Sequence, residues 1–227
     1  MFHFKGTKVH HANKKSLSYW EFEFPGDENL TNASQSAFDS ESWLRTKYWH
    51  QKPGDVVFDV GAGFGAYTIL ALAQQATVWS LEPHPILSRA LSHNISLNGF
   101  PSINVRLNTK FPWGNTPSVV GEFGLWDQTV DLMLPHGTAS AVPLDYLCRI
   151  AKVPRVDWIK IDAEGAELAI LKGANDSLLA YKPKLLLEVH KFMDAQMEQK
   201  LRDFLCDYNY QFELYPYDAH VDHLFCW

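Results

Sequence analysis

A chain of 227 residues, 46% hydrophobic and 20% charged, has the composition of an ordinary globular protein with room for one well-buried core. No stretch approaches the roughly 18 uncharged apolar residues that span a bilayer, so no membrane partner is expected. A formal net charge of −6 and a pI near 5.9 leave no basic surplus for counterion release, which disfavours a nucleic-acid substrate.

Residues 1–50 are rich in histidine and aromatics and read as an N-terminal strap or lid set before a domain over 51–227. Within them Tyr19 to Phe24 alternate as a half-buried strand does, and residues 42–49 are compatible with a helix packed on the domain. The opening Met1-Phe2-His3-Phe4-Lys5-Gly6 lacks the apolar core of a secretory leader, and a cytoplasmic location is expected. Cys148, Cys206 and Cys226 are widely spaced with no CxxC, which predicts buried free thiols and neither a disulfide frame nor a zinc finger.

Val56–Val60 is β-branched and aromatic enough for a buried strand, and it runs into Gly61-Ala62-Gly63-Phe64-Gly65 and a helix from about Ala66. Glycines at every second position remove side chains that would hold a ligand away from the backbone, while a helix start presents unpaired N–H groups. A second strand, Thr77–Leu81, ends at Glu82, where an acid lies beside such a turn and accepts hydrogen bonds from both hydroxyls of a ribose. Pro83 and Pro85 lead into a helix over 85–98, with Leu87, Leu91 and Ile95 on one face and Gly99 as a left-handed stop.

Residues 103–107 are the expected third strand. The stretch 108–138, broken by prolines and glycines, reads either as a hairpin around Val119 and Val130 or as a loop over the site. Regular signals return with a strand over 156–162, a turn at Ala163-Glu164-Gly165, a helix over 166–172 closed by Gly173, and a strand over Lys184–His190. Met193, Met197, Leu201, Phe204, Leu205 and Tyr208 fall on one helical stripe, and residues 211–215 and 223–227 read as a terminal antiparallel hairpin. Strands alternating with helices make an α/β fold whose mostly parallel sheet is covered on both faces.

In open sheets of this kind ligands bind beyond the carboxyl ends of the strands, which gathers Asp59, Glu82, Asp162, Glu188 and His190. Lys160 and Asp162 share a strand face, as do Glu188 and His190. Acids with a histidine offer a base for a hydroxyl nucleophile, with His190 and Asp162 as alternatives and Lys160 as a further catalytic candidate, or oxygen ligands for a cation at Asp162 and Glu188. Plainer roles compete: Glu82, Asp162 and Glu164 as helix caps, Lys160 as a structural ion-pair partner, and His190 as a satisfied strand-end residue.

The block from Asp59 to Thr68, with Glu82, Leu144-Asp145-Tyr146-Leu147, the run from Ile159 to Glu167, Leu187-Glu188-Val189-His190 and the ending Asp222-His223-Leu224-Phe225, resembles the FkbM family of methyltransferases over roughly Pro53 to the C-terminus. The resemblance implies a class I, Rossmann-like fold that binds S-adenosylmethionine and methylates a hydroxyl oxygen of a small-molecule acceptor, often a sugar or natural product. By position Asp59, Gly61, Gly63 and Gly65 would line the methionine portion, Glu82 the ribose, and Asp162 the sulfonium and acceptor. Trp126 and Asp127 are candidates for the adenine, and Mg2+ is a possible companion at Asp162 and Glu188. The family usually has Asn at the position of Gly63, and the link after its third strand is lengthened here between Asn108 and Asp127. A nicotinamide-dependent oxidoreductase and a non-catalytic binding or assembly protein are the rival readings.

Overall fold

The computed structural model describes residues 2–9, 18–24, 38–100, 105–107, 123–125, 130–134 and 137–227. Its centre is a seven-stranded sheet. The parallel strands are β3 (Val56–Val60), β4 (Thr77–Leu81), β5 (Val105–Leu107), β9 (Trp158–Ile161) and β10 (Lys184–His190). The terminal hairpin, β11 (Phe212–Pro216) with β12 (Val221–Cys226), joins antiparallel along β10, so the order is β11-β12-β10-β9-β3-β4-β5. Chain order reverses between β3 and β9, and ligand crevices open at the carboxyl side of such a switch.

Residues alternating along the inner strands supply two separate cores, as a sheet buried on both faces requires. Phe58, Ile159 and Leu187 pack with Leu144 and Leu147 of α4 (Leu144–Ile150), Ile170 of α5 (Glu167–Lys172), Leu178 of α6 (Asn175–Tyr181) and Leu201 of α7 (Met197–Cys206). On the other face Val57, Trp158 and Leu186 pack with Leu44 of α1 (Ser42–Tyr48), Ile69 of α2 (Ala66–Ala73) and Leu91 of α3 (Pro85–Leu97). Buried Trp49 donates from Nε1 to the Tyr67 carbonyl at 3.0 Å, which ties the end of α1 to α2.

The structure bears out some expectations, extends others and corrects the rest. The stretch after β5 contributes a three-stranded sheet, β6 (Phe123–Leu125), β7 (Val130–Leu134) and β8 (Gly137–Val142), in which Val130 pairs with Ala141; Val119 lies outside the described residues. The strand Tyr19–Phe24 belongs to β2 (Ser18–Phe24), which pairs with an unforeseen β1 (Phe2–Val9). Helices α4 and α6 were also unforeseen. Met193 is exposed ahead of α7, which starts at Met197, and its side chain instead lies close over Gly165. Cys148 and Cys226 are buried, but Cys206 is exposed at the end of α7. No helix among the described residues is long and apolar enough to cross a membrane.

Candidate active site

The glycine turn does three different jobs, one at each glycine. At Gly61, φ is +69° and an added Cβ would fall 1.6 Å from the Asp162 carbonyl oxygen, so a side chain there collides with the tip of β9. At Gly65, φ is +100° and a Cβ would stand 2.6 Å from Leu91 Cδ1, so this glycine lets α2 sit against α3. Gly63, with φ +56°, would project a Cβ into open space. Of the three, only Gly63 has room for a side chain, and the outer glycines serve packing.

Glu82 closes this turn from the end of β4. Gly63 N–H donates to its Oε2 at 2.7 Å and His84 N–H to its Oε1 at 2.8 Å, while both Gly61 and Ala62 donate to the Leu81 carbonyl. Burial raises the Glu82 carboxyl to about pH 7, opposed by the two backbone donors. His84 caps α3, its Nδ1 accepting from Ile86 and Leu87 N–H.

Asp59 is fully buried beneath the turn and does not face the crevice. Its Oδ2 accepts from Thr68 Oγ1 at 2.6 Å, and Thr68 in turn lies 2.7 Å from Ser80 Oγ. Its Oδ1 has no hydrogen-bond partner and stands 3.8 Å from Lys160 Nζ. Burial raises the Asp59 carboxyl, with Lys160 and Thr68 pulling the other way. Asp59 and Lys160 are register neighbours on β3 and β9, which explains their meeting.

Lys160 Nζ donates to the Gly61 carbonyl at 2.9 Å and to Asp162 Oδ2 at 3.2 Å, and lies over the Tyr67 ring at 5.1 Å. Burial pulls its pKa down, but Asp162, Asp59, Glu188 and Glu41 outweigh that and hold it above the ordinary lysine value. Asp162, at 31% side-chain exposure against 0% for Asp59, is the more exposed of the two carboxylates beside Lys160.

His190 is buried at the tip of β10 with Nδ1 2.7 Å from Glu167 Oε1. Its Nε2 stands 3.7 Å from Asp162 Oδ1, 3.6 Å from Glu164 Oε2 and 3.7 Å from Glu188 Oε1. Burial opposes its charge, yet the Glu167 hydrogen bond and the surrounding carboxylates raise it to about 9. Glu188 rises to about 8, chiefly by burial and then by Asp162 and Glu41.

Thr68, Tyr67, Glu41, Glu167 and His223 were not anticipated as members of this centre. Tyr67 donates its hydroxyl to Glu41 Oε2 at 2.8 Å, and Arg45 NH1 reaches the same oxygen at 3.3 Å. His223 faces Glu188 across the β10–β12 pair. Alternation along the last strand puts His223 on one face with Phe225, but nothing in one sequence supplies its register with β10. The structure therefore brings Asp59, Lys160, Asp162, Glu188 and His190 together, with Glu82 across the turn; Trp126 and Asp127 lie outside the described residues.

Residues 59–212 match the family model described as the methyltransferase FkbM domain. The chain belongs to the FkbM methyltransferase family. One relative, a hexuronic acid methyltransferase, AglP, of Haloferax volcanii, is 27% identical over 150 residues, 65% of this chain and 61% of that protein. The crystal structure of methyltransferase FkbM from Methylobacillus flagellatus superposes with a TM-score of 0.62 at 19% identity, over 89% of this chain and 56% of that one. A precorrin-6y C5,15-methyltransferase from Geobacter metallireducens superposes with a TM-score of 0.50 at 18% identity, over 90% and 93%. The FkbM chain described here thus spans about three-fifths of these first two relatives, and the two structural likenesses concern the fold.

Proposed function

We propose that this FkbM-family chain moves the methyl group of S-adenosylmethionine to a hydroxyl oxygen of a sugar or small natural product. The observation that carries the reading is the pairing of Gly63, where a side chain would enter open space, with Glu82, whose carboxylate grips the Gly63 N–H at 2.7 Å. Each Glu82 oxygen keeps a further lone pair for a ribose hydroxyl. Family membership supports methyl transfer, and the hexuronic acid named for the archaeal relative supports a sugar as acceptor.

In this reading the open turn at Gly63 receives the amino-acid end of the donor. Gly61, Gly65 and Asp59 hold the turn in shape from below, and Trp126 and Asp127 are retained as candidates for the adenine. S-adenosylmethionine supplies a methyl group on positively charged sulfur. The acceptor oxygen forms its bond to that carbon as the carbon–sulfur bond breaks; the bonding pair returns to sulfur, and the acceptor proton passes to Asp162. Alignment and proton removal are what the protein adds. Asp162 suits the proton because it is the partly open carboxylate, oriented by Lys160 at 3.2 Å. Lys160 is a positioning residue. His190, enclosed by Glu167 on one nitrogen and three carboxylates around the other, holds this acidic cluster together.

Calorimetry with S-adenosylhomocysteine and with NAD tests the proposal. Expected are binding of the first, at least a tenfold loss in Glu82→Ala, and no heat with NAD. NAD binding in the absence of S-adenosylhomocysteine binding would replace this reading with an oxidoreductase.

A further inference from the structure

The imidazole of His223 is almost completely buried, and among the described residues neither Nδ1 nor Nε2 has a hydrogen-bond partner. A neutral ring carries one N–H and one lone pair, so a donor and an acceptor are both unmet, and buried polar groups are ordinarily satisfied. Edge-on rings surround it: Trp43 with centroids 6.3 Å apart and Tyr217 at 5.4 Å. The antiparallel register sets Glu188 directly opposite, with Oε2 3.9 Å from His223 Nε2. Glu41, at the N-cap of α1, completes a group whose three ligand atoms all lie within 4.8 Å of one another. The two donors that Glu41 accepts, Tyr67 and Arg45, both arrive at Oε2.

We infer that Glu41, Glu188 and His223 form a binding site for a divalent first-row transition cation such as Mn2+ or Zn2+. Two carboxylate oxygens and one imidazole nitrogen suit such an ion better than Mg2+, which favours an all-oxygen octahedron. Closing ligand atoms from 3.9 Å to the spacing of a coordination shell needs only side-chain rotation, because β10 and β12 already fix the two backbones. The ion answers the lone pair on Nε2 and places positive charge between two acids. The second possible triad, Asp162, Glu188 and His190, lies next door and shares Glu188. That triad already holds a cation, the Lys160 ammonium 3.2 Å from Asp162 Oδ2, whereas His223 has no hydrogen-bond partner on either nitrogen among the described residues. The site is defined without reference to the methyl donor. Glu188 bridges the two regions, one oxygen toward His223 and the other toward His190.

Titration of the full chain with Mn2+ alone, followed by calorimetry and by pulsed electron paramagnetic resonance, decides the matter. Expected is one Mn2+ per chain with nitrogen coupling from an imidazole, and Mg2+ binding at least tenfold weaker. His223→Phe and Glu41→Gln each weaken Mn2+ at least tenfold, with the nitrogen coupling lost in the first, while Asp162→Asn binds as the parent does. Circular dichroism confirms folding of each variant, and Glu41→Gln decides alone if His223→Phe does not fold. Absence of Mn2+ and Zn2+ binding to the parent, unchanged affinity in Glu41→Gln, or loss in Asp162→Asn overturns the assignment.

Discussion

Lys160 Nζ donates to the carbonyl oxygen of Gly61 at 2.9 Å, so a buried ammonium on one strand holds the first residue of the glycine turn on the next. The same nitrogen touches Asp162 and stands near Asp59, joining the support of the turn to the more exposed carboxylate. A buried charge with this many partners is expensive to strip bare, because it leaves fully buried Asp59 without the ammonium that faces its unpaired oxygen.

Lys160→Met is therefore expected to lower unfolding free energy at neutral pH by about 3–5 kcal/mol, the range for breaking a buried ion pair. Urea denaturation of parent and variant measures it. A loss below about 1 kcal/mol, the worth of an exposed pair, would mean that water reaches this cluster freely.

Gly61→Ala and Gly63→Ala separate packing from ligand contact. Both residues have positive φ, which costs an L-residue roughly 1–2 kcal/mol, but only at Gly61 does the new methyl meet backbone, 1.6 Å from the Asp162 oxygen. Gly61→Ala should lower the melting temperature severely or prevent folding. Gly63→Ala should fold with a modest loss and bind S-adenosylhomocysteine at least tenfold more weakly. Equal melting temperatures in the two variants would contradict the division of labour among the glycines.

The Glu82 carboxyl, raised by burial to about 7, is neutral in much of the free chain at mildly acidic pH. A raised folded value means that its contribution to stability is full below the unfolded pKa and is lost as pH climbs through about 7. Gripping two ribose hydroxyls requires the ionised form, so cofactor affinity should move in the opposite sense and rise by about tenfold from pH 6 to pH 8. Isothermal titration across that interval, with Glu82→Gln expected to show a flat profile, provides the check. A parent profile as flat as the variant's would remove Glu82 from the ribose.

Thiol chemistry probes the packing of the last helix and strand. Burial raises Cys148 to about 12 and pushes Cys226 well above the ordinary thiol value, whereas Cys206 is exposed. An aromatic disulfide reagent should titrate one thiol per native chain and all three after denaturation. Rapid native reaction of a second thiol would show that the packing around Cys148 or Cys226 opens readily.

Much of this architecture is legible along the chain because its signals are local. Val56–Val60 and Lys184–His190 are largely apolar, with Val56-Val57-Phe58 and Leu185-Leu186-Leu187 at their centres, and the glycine turn and the residue Glu82 follow their strands at once. The tips of consecutive parallel strands then converge by topology, which brings Asp59, Glu82, Asp162, Glu188 and His190 to one end. Helix α5, no longer than α4 and α6, is legible because a glycine turn and Gly173 bracket it, whereas α4 and α6 were not read from the chain, and Met193 fits the stripe of α7 although its helix begins four residues later.

The sequence by itself determined the family, the parallel sheet and the end at which its polar residues gather, since each follows from motifs and alternation within a few residues. Tertiary structure alone decided which way each of those residues faces. Asp59 turns inward to Thr68 and Lys160, Gly61 and Gly65 are demanded by neighbouring backbone and side chain, and His223 meets Glu188 through antiparallel register. Register and burial are properties of pairs distant in the chain, set by packing that no local pattern encodes.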